Sequence, residues 1–395
     1  MLMEDLLPFN DPKYIAEPYV YWSRLRDEAP VYWCRSTEFW AVTRYDDVLE
    51  VLHDPARFSS EGGPTGRQLG SVLPRLPLLQ DDPPHHDRLR RILSKAFTPK
   101  ITAQREHRVR EIADELVADL RRRLAAGDDV DLVRAFTSPL PVNVIAEVLG
   151  IPPELKDRLR MWNATTSVTG AVELAEAHRP ETMREMHETL SELLEERRRD
   201  RRDDLFSALI EASENDESPL RPDELVGLCQ LLWNAGNETT TNLLSNIAVV
   251  LQERPDLLVM TGTQPQKIPA MVDEFLRLHT PINCLARTAS EDLEFQGQKI
   301  RKDDVLMVIF AAANRDPRHF EGADEFDPDR RPNDHVAFSH GIHFCLGSHL
   351  ARLEARVGLE ILGELLPHVR IPIDRGVRIP TGLLRGWLTL PLEPA

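Results

Sequence analysis

Cysteine is scarce in this chain: only Cys34, Cys229, Cys284 and Cys345 occur in 395 residues. They are too scattered for a disulfide framework and form no Cys-x-x-Cys pair of the zinc type. Such usage fits a reducing compartment, where a cysteine that matters acts as a ligand or a nucleophile. Long apolar runs are missing too. The longest, Val305–Ala313, has nine residues, under half of the roughly 20 that a membrane-spanning helix requires. Met1–Tyr19 carries acids and prolines where a signal peptide needs a basic start and an apolar core, so a cytoplasmic protein with no membrane anchor is expected. Positive charge is also short. Lys and Arg total 48 against 65 Asp and Glu, a net charge of -17, which argues against a nucleic-acid partner.

What is present is an ordinary globular composition, 42% hydrophobic and 29% charged, neither disordered nor fibrous. Helical periodicity dominates. Ile101–Ala126, Pro139–Leu149 and Thr182–Arg199 all read as amphipathic helices, with apolar residues recurring every three or four positions. Strand-like pieces are fewer: Val31–Thr43, Leu293–Ile300 with a Gln296-Gly297 turn, Val305–Phe310 and Leu383–Leu392. Prolines cluster between Pro64 and Pro84 and between Pro317 and Pro332, which predicts two long irregular segments. Neither a repeat nor a low-complexity linker divides the chain. The expectation is one large domain over residues 1–395, mainly α with small β-sheets (α+β).

Pro222 to Glu253 has the marks of a single long helix. Pro222 suits the first helical position, Asp223 and Glu224 suit the first turn, and Pro255 closes the far end. At about 1.5 Å per residue it spans roughly 48 Å, enough to cross the domain. Apolar residues cover several faces, so a central, buried position is predicted. Its middle, however, reads Ala235-Gly236-Asn237-Glu238-Thr239-Thr240-Thr241. A mid-helix glycine costs about 1 kcal/mol relative to alanine, and a buried acid is expensive unless paired. Two readings stay open on these residues alone: a polar patch on a water-filled crevice, or a groove beside a reaction centre. In the second, small Ala235 and Gly236 leave room for a ligand, Glu238 relays protons and Thr239 supplies a hydroxyl.

Two further stretches carry chemistry. Glu274 and Arg277 lie three apart on a short helix after Pro269 and can pair on one face, although such a pair alone says little. More specific is Phe338-Ser339-His340-Gly341-Ile342-His343-Phe344-Cys345-Leu346-Gly347, followed by an amphipathic helix over Ser348–Leu366. Cys345 then stands at a helix N-terminus, where free N–H groups and the dipole favour a thiolate. Gly341 and Gly347 permit tight turns and close approach to a flat ligand. A buried structural cysteine leaves the glycines and His343 unexplained. A Cys–His nucleophile lacks an acid–base partner in register and gives the long helix no purpose.

The decapeptide resembles the haem-binding loop of the cytochrome P-450 family, F-G-x-G-x-H-x-C-x-G, departing once, at Ser339. Ala235–Thr239 resembles the family's oxygen-activating helix motif, and Glu274 with Arg277 its ExxR pair. Phe326-Asp327-Pro328-Asp329-Arg330 resembles its meander, making Arg330 the third member of a buried triad. Asp82-Pro83-Pro84-His85-His86-Asp87-Arg88-Leu89-Arg90 resembles the DPPxHxxLR stretch of soluble bacterial members.

The resemblance implies a haem b held between the long central helix and the cysteine-loop helix. Cys345 is then the thiolate ligand of iron, a ligand that favours O–O cleavage. His86, Arg90, Arg287 and His343 bind the haem propionates; Ala235, Gly236, Phe338 and Gly347 line the cofactor. Glu238 and Thr239 form the acid–alcohol pair that delivers protons. The implied reaction is monooxygenation by dioxygen, with electrons from a ferredoxin or flavodoxin and its reductase. Segments Gly62–Leu79, Trp162–Val172, Pro281–Leu285 and Thr381–Leu384, together with Leu231, Leu232 and Ala235, are implied around the substrate. Apart from Arg67, Arg75 and Asn283 they are largely apolar, favouring a steroid, terpenoid, fatty acid or polyketide. Arg88, Arg91, Lys95 and Lys100 form a basic stretch that suggests a docking patch for an acidic partner. The rival readings are a peroxide-driven or oxidative-coupling enzyme on the same fold, and a non-catalytic recruitment module. The second predicts a disabled oxygen groove or a lost thiolate, and neither is seen in the sequence.

Overall fold

The helix expected over Pro222–Glu253 forms with those bounds and 32 residues. Arg221 precedes it in an extended conformation, and the Glu224 side chain accepts from the Arg221 N–H at 2.8 Å, closing the first turn as a capping-box acid does. Helices Pro139–Leu149, Glu173–Arg199 and Ser348–Leu365 pack around it. Leu243, Leu244 and Ile247 of the central helix and Val357, Leu359 and Leu362 of the last helix share one core cluster. A second cluster joins Leu228, Trp233, Trp162, Phe206 and Leu190. In the computed structural model, residues 7–9, 11–65, 76–155, 158–159, 161–162, 165 and 173–395 are described.

The architecture is mainly helical with small sheets. The largest sheet has five strands. Val31–Cys34 and Phe39–Val42 form a hairpin, Phe39–Val42 runs parallel to Val305–Val308, and Leu285–Ala289 and Phe58–Ser59 complete the sheet antiparallel. This sheet sets Arg287 opposite Leu306 and so positions one of the expected site residues. Leu293–Phe295 and Gln298–Ile300 pair across the Gln296-Gly297 turn, with both turn residues at positive φ.

Several boundaries differ from the sequence expectation. The helix expected over 101–126 is two, Pro99–Gln104 and Glu106–Ala125, because Arg105 leaves helical ψ (-8°) at the junction. The helix expected from Thr182 begins at Glu173 and runs through Pro180. A proline inside a helix costs about 3 kcal/mol; Pro180 is exposed, and the helix runs through it. The strand from Val305 stops at Val308, and Phe310–Ala313 is a short helix. The C-terminal strand region divides into Trp387–Thr389 and Pro391–Pro394, which join different sheets. Residues 317–332 contain no regular element, as their prolines predict.

Candidate active site

Cys345 follows a tight loop and precedes the helix Ser348–Leu365, with Gly347 as its N-cap residue. The Cys345 N–H donates to the Phe338 carbonyl at 2.9 Å, folding the loop back on itself. Phe338 is buried and carries the Arg352 guanidinium 4.5 Å over its ring. Gly341 adopts φ +66°, and a Cβ there would lie 2.4 Å from the Leu52 carbonyl. Its close approach is therefore to the helix Tyr45–His53, not to a ligand as the sequence suggested. A Cβ at Gly347, by contrast, meets open space. Burial pushes the Cys345 thiol up, with the Gly347 N–H, Arg90 and Arg352 pulling the other way. The N–H at the helix terminus thus favours the thiolate, as the sequence suggested, and burial opposes it.

The polar interruption of the central helix behaves as a groove. Residues on both sides are buried, yet Ala235 is exposed and Gly236, Glu238 and Thr239 are half-buried. Thr239 Oγ1 donates to the Ala235 carbonyl at 2.9 Å, which holds the hydroxyl in place and leaves its lone pairs free to accept. Leu231 and Leu232 belong to the core cluster around Trp233, so of the three residues expected near substrate only Ala235 opens on the groove. Asn283 ties residues 281–285 to 381–384, its N–H donating to the Leu383 carbonyl and its Nδ2 to that of Gly382. Arg67, Arg75 and most of Trp162–Val172 lie outside the described residues; Trp162 itself is fully buried.

His86 and Arg90, one turn apart on the helix His85–Ala96, converge with the distant Arg287 and His343. The rings of His86 and His343 have centroids 4.6 Å apart, and Ser60 Oγ is 2.9 Å from His343 Nε2. Burial, then the charges of Arg287, His86 and Arg90, hold His343 down at about 3, so its ring is neutral near pH 7. Burial likewise lowers Arg287 to about 10, with Asp82 opposing, and lowers Arg90, with Cys345 opposing. Asp82 is itself engaged by the Ser59 hydroxyl and the Ser60 N–H. Among the described residues neither guanidinium forms a salt bridge, and His86 Nε2 is buried without a partner. Such a cluster suits an anion of more than one charge. Ser60 gave no local signal: its role comes from a contact across 283 positions of chain.

Glu274 and Arg277 are both fully buried and make a two-pronged pair at 2.7 and 2.8 Å. Arg330 Nε adds a contact to Glu274 at 3.2 Å, as do Asn333 Nδ2 at 3.2 Å and the Asp327 N–H at 2.9 Å. Burial pushes Glu274 up, but Arg277, the Asp327 N–H and Arg330 together hold it below its ordinary range. Arg277 spends its remaining donors on the carbonyls of Asn314, Ala323 and Glu325. The expected triad thus exists, with Asn333 as a member that sequence reasoning missed.

The basic stretch is less basic than expected. Arg88 pairs with buried Glu224, and Arg91 forms a double contact with Asp216 at 2.7 and 3.1 Å. Lys95 is exposed; the side chain of Lys100 lies outside the described residues.

The residues present fit a haem. The unpartnered His86 nitrogen and the guanidiniums without salt bridges suit two propionates, the open side of Gly347 beside Cys345 suits a flat ring, and exposed Ala235 leaves space on a helix otherwise mostly buried. The family model for cytochrome P450 matches residues 13–260 and 267–381. The chain belongs to the cytochrome P450 family. The mycinamicin IV hydroxylase/epoxidase of Micromonospora griseorubida is 38% identical over 98% of this chain and 97% of its own. The structure of the cytochrome P450 CYP109Q5 from Chondromyces apiculatus superposes with a TM-score of 0.86 at 36% identity, covering 98% of this chain and 97% of the other. That of CYP109E1 from Bacillus megaterium, in complex with corticosterone, gives 0.86 at 32%, covering 96% and 99%. This cytochrome P450 is an oxygen-incorporating oxidoreductase, of a family that binds haem through a cysteine thiolate. No described helix is long and apolar enough to cross a membrane.

Proposed function

We propose that this cytochrome P450 uses a haem b to insert one atom of dioxygen into an apolar small molecule of the steroid, terpenoid, fatty-acid or polyketide type. Its electrons come from a ferredoxin or flavodoxin with its reductase, in the cytoplasm. The carrying observation is the convergence of buried His86 and Arg287 with half-buried Arg90 and His343, where neither guanidinium forms a salt bridge among the described residues and His86 Nε2 has no partner. The likeness to a protein crystallised with corticosterone supports the steroid end of the substrate range.

Cys345 holds the iron, and His86, Arg90, Arg287 and His343 hold the propionates. Phe338 packs under the loop, with Gly347 leaving space for the ring beside it. When bound, the haem supplies the activation of dioxygen and the transfer of oxygen. The chain supplies proton control. Glu238, half-exposed in mid-helix, moves protons between solvent and the groove, and Thr239 accepts and passes them at Oγ1, anchored by its bond to Ala235. Exposed Ala235 keeps the groove wide, whereas Gly236 packs toward Ile145 of the helix Pro139–Leu149. The Glu274–Arg277–Arg330 triad fixes the frame that carries the cysteine loop.

Reduced protein under carbon monoxide should show the strongly red-shifted Soret band of thiolate ligation, and Cys345→Ala should lose it. A wild-type protein without that band, or a variant that keeps it, overturns the reading. A screen of apolar compounds for low-to-high spin conversion then identifies the substrate class.

A further inference from the structure

The one departure from the family's loop pattern sits where the backbone wants a glycine. Ser339 adopts φ +61°, a left-handed conformation that L side chains occupy at a penalty and glycine does not. Its backbone is committed to the turn, the N–H donating to the Val336 carbonyl at 2.9 Å. The residue is 8% exposed, and its hydroxyl oxygen is buried with no hydrogen-bond partner. A strained backbone and an unmet buried hydroxyl are both unfavourable, and glycine would remove both. The hydroxyl therefore has to be accounted for by something it reaches.

It reaches the cationic cluster. Ser339 lines a small pocket of about 30 Å³ together with Arg287, His343 and Ser60, room for roughly two water-sized groups or one carboxylate. Arg287 has no salt bridge among the described residues, and His343 is already engaged by Ser60 at 2.9 Å. A neutral donor beside a buried guanidinium strengthens the grip on a carboxylate without adding another charge to be desolvated.

We propose that the Ser339 hydroxyl is a further donor to a propionate of the bound haem, so that this chain exchanges backbone ease in the cysteine loop for tighter cofactor retention. The inference rests on the haem reading above, and it concerns positioning, since Ser339 does not touch the reacting atoms.

Haem-loaded wild type, Ser339→Gly and Ser339→Ala are compared for the rate of haem transfer to excess apomyoglobin and for reduction potential. Loss of one charge-assisted hydrogen bond predicts about tenfold faster transfer in both variants. It also predicts a lower potential, because the propionate charge is less neutralised. A merely structural serine predicts the reverse for glycine, which relieves the strained turn: transfer unchanged or slower, potential unmoved. That result overturns the proposal. If wild type itself lacks the thiolate band, the haem reading has failed; if wild type shows the band and the variants match it in transfer rate, only the role of Ser339 has.

Discussion

Around Glu274 the buried charges are cancelled within the protein, whereas around His343 they are not. Glu274 meets Arg277 and Arg330 and accepts from Asn333 and the Asp327 N–H, so each of its oxygens is engaged. Near His343, two guanidiniums and two imidazoles converge; Asp87 meets His86 at 3.1 Å, Asp81 acts on His343 and Asp82 is already held by Ser59 and Ser60, yet neither guanidinium forms a salt bridge among the described residues. Both regions bury charge at an energetic cost. One recovers it on folding; the other recovers it only when an anion arrives. On the reading proposed above, the difference separates a part that holds the frame from a part that would receive the cofactor, and it rests on contacts and not on motif.

The largest way to break this contrast is to uncancel the first region. Glu274→Gln keeps the shape and removes the charge, leaving Arg277 fully buried and unpaired. Breaking a buried pair from one side costs about 3–5 kcal/mol, and a fall of that size in unfolding free energy is expected from urea titration. The pH dependence follows the same logic. The folded-state pKa of Glu274 is depressed, so its contribution is present above the ordinary glutamate value and lost as pH falls through the lower folded value. A variant as stable as wild type at pH 7 would mean that the triad is decorative.

Glu354, on the cysteine helix, sharpens the comparison because it is the same residue type with the opposite treatment. It is buried, one oxygen has no partner, and burial alone raises it from 4.5 to about 8. The native state keeps the proton that the unfolded chain releases, so stability should fall as pH rises from 4.5 to 8. Glu354→Gln removes that slope. At pH 8 it should stabilise the protein by on the order of 2–4 kcal/mol, with the gain vanishing near pH 4.5. Thermal midpoints across that range check it, and a gain independent of pH would refute the titration argument.

Much of this was legible in the residues, for reasons that are local. Pro222 with Asp223 and Glu224 at one end and Pro255 at the other bracket the central helix, and Cys345 with its glycines and His343 marks the loop. Glu274 and Arg277 can be paired from spacing, since three residues on a helix share a face. What escaped depends on contacts distant in sequence or on backbone geometry. Ser60 is 283 residues from His343 and Asn333 is 59 from Glu274, and neither sits in a recognisable pattern. The break at Arg105 interrupts a periodicity that continues on both sides. The turns before Thr182 escaped because the helix continues through Pro180, a residue that usually marks a boundary. The basic stretch misled in the same way: Arg88 and Arg91 are cancelled by Glu224 and Asp216, which lie over a hundred residues away.

The smallest expected effect tests the second region by cancelling it from the protein side. Arg287 is buried, lacks a salt bridge among the described residues and is lowered to about 10, so its charge opposes folding when no anion faces it. Arg287→Met preserves much of the volume and removes the charge. In haem-free protein it should therefore stabilise, by on the order of 1–3 kcal/mol, read from urea unfolding at pH 7. With haem loaded the sign reverses, because the guanidinium is then paired and its loss leaves a propionate short of a donor: haem transfer to apomyoglobin should accelerate. Opposite signs in the two states are the signature of a charge placed for a ligand. A variant that destabilises both states equally would assign Arg287 to the frame, alongside Arg277, and remove the distinction on which the site rests.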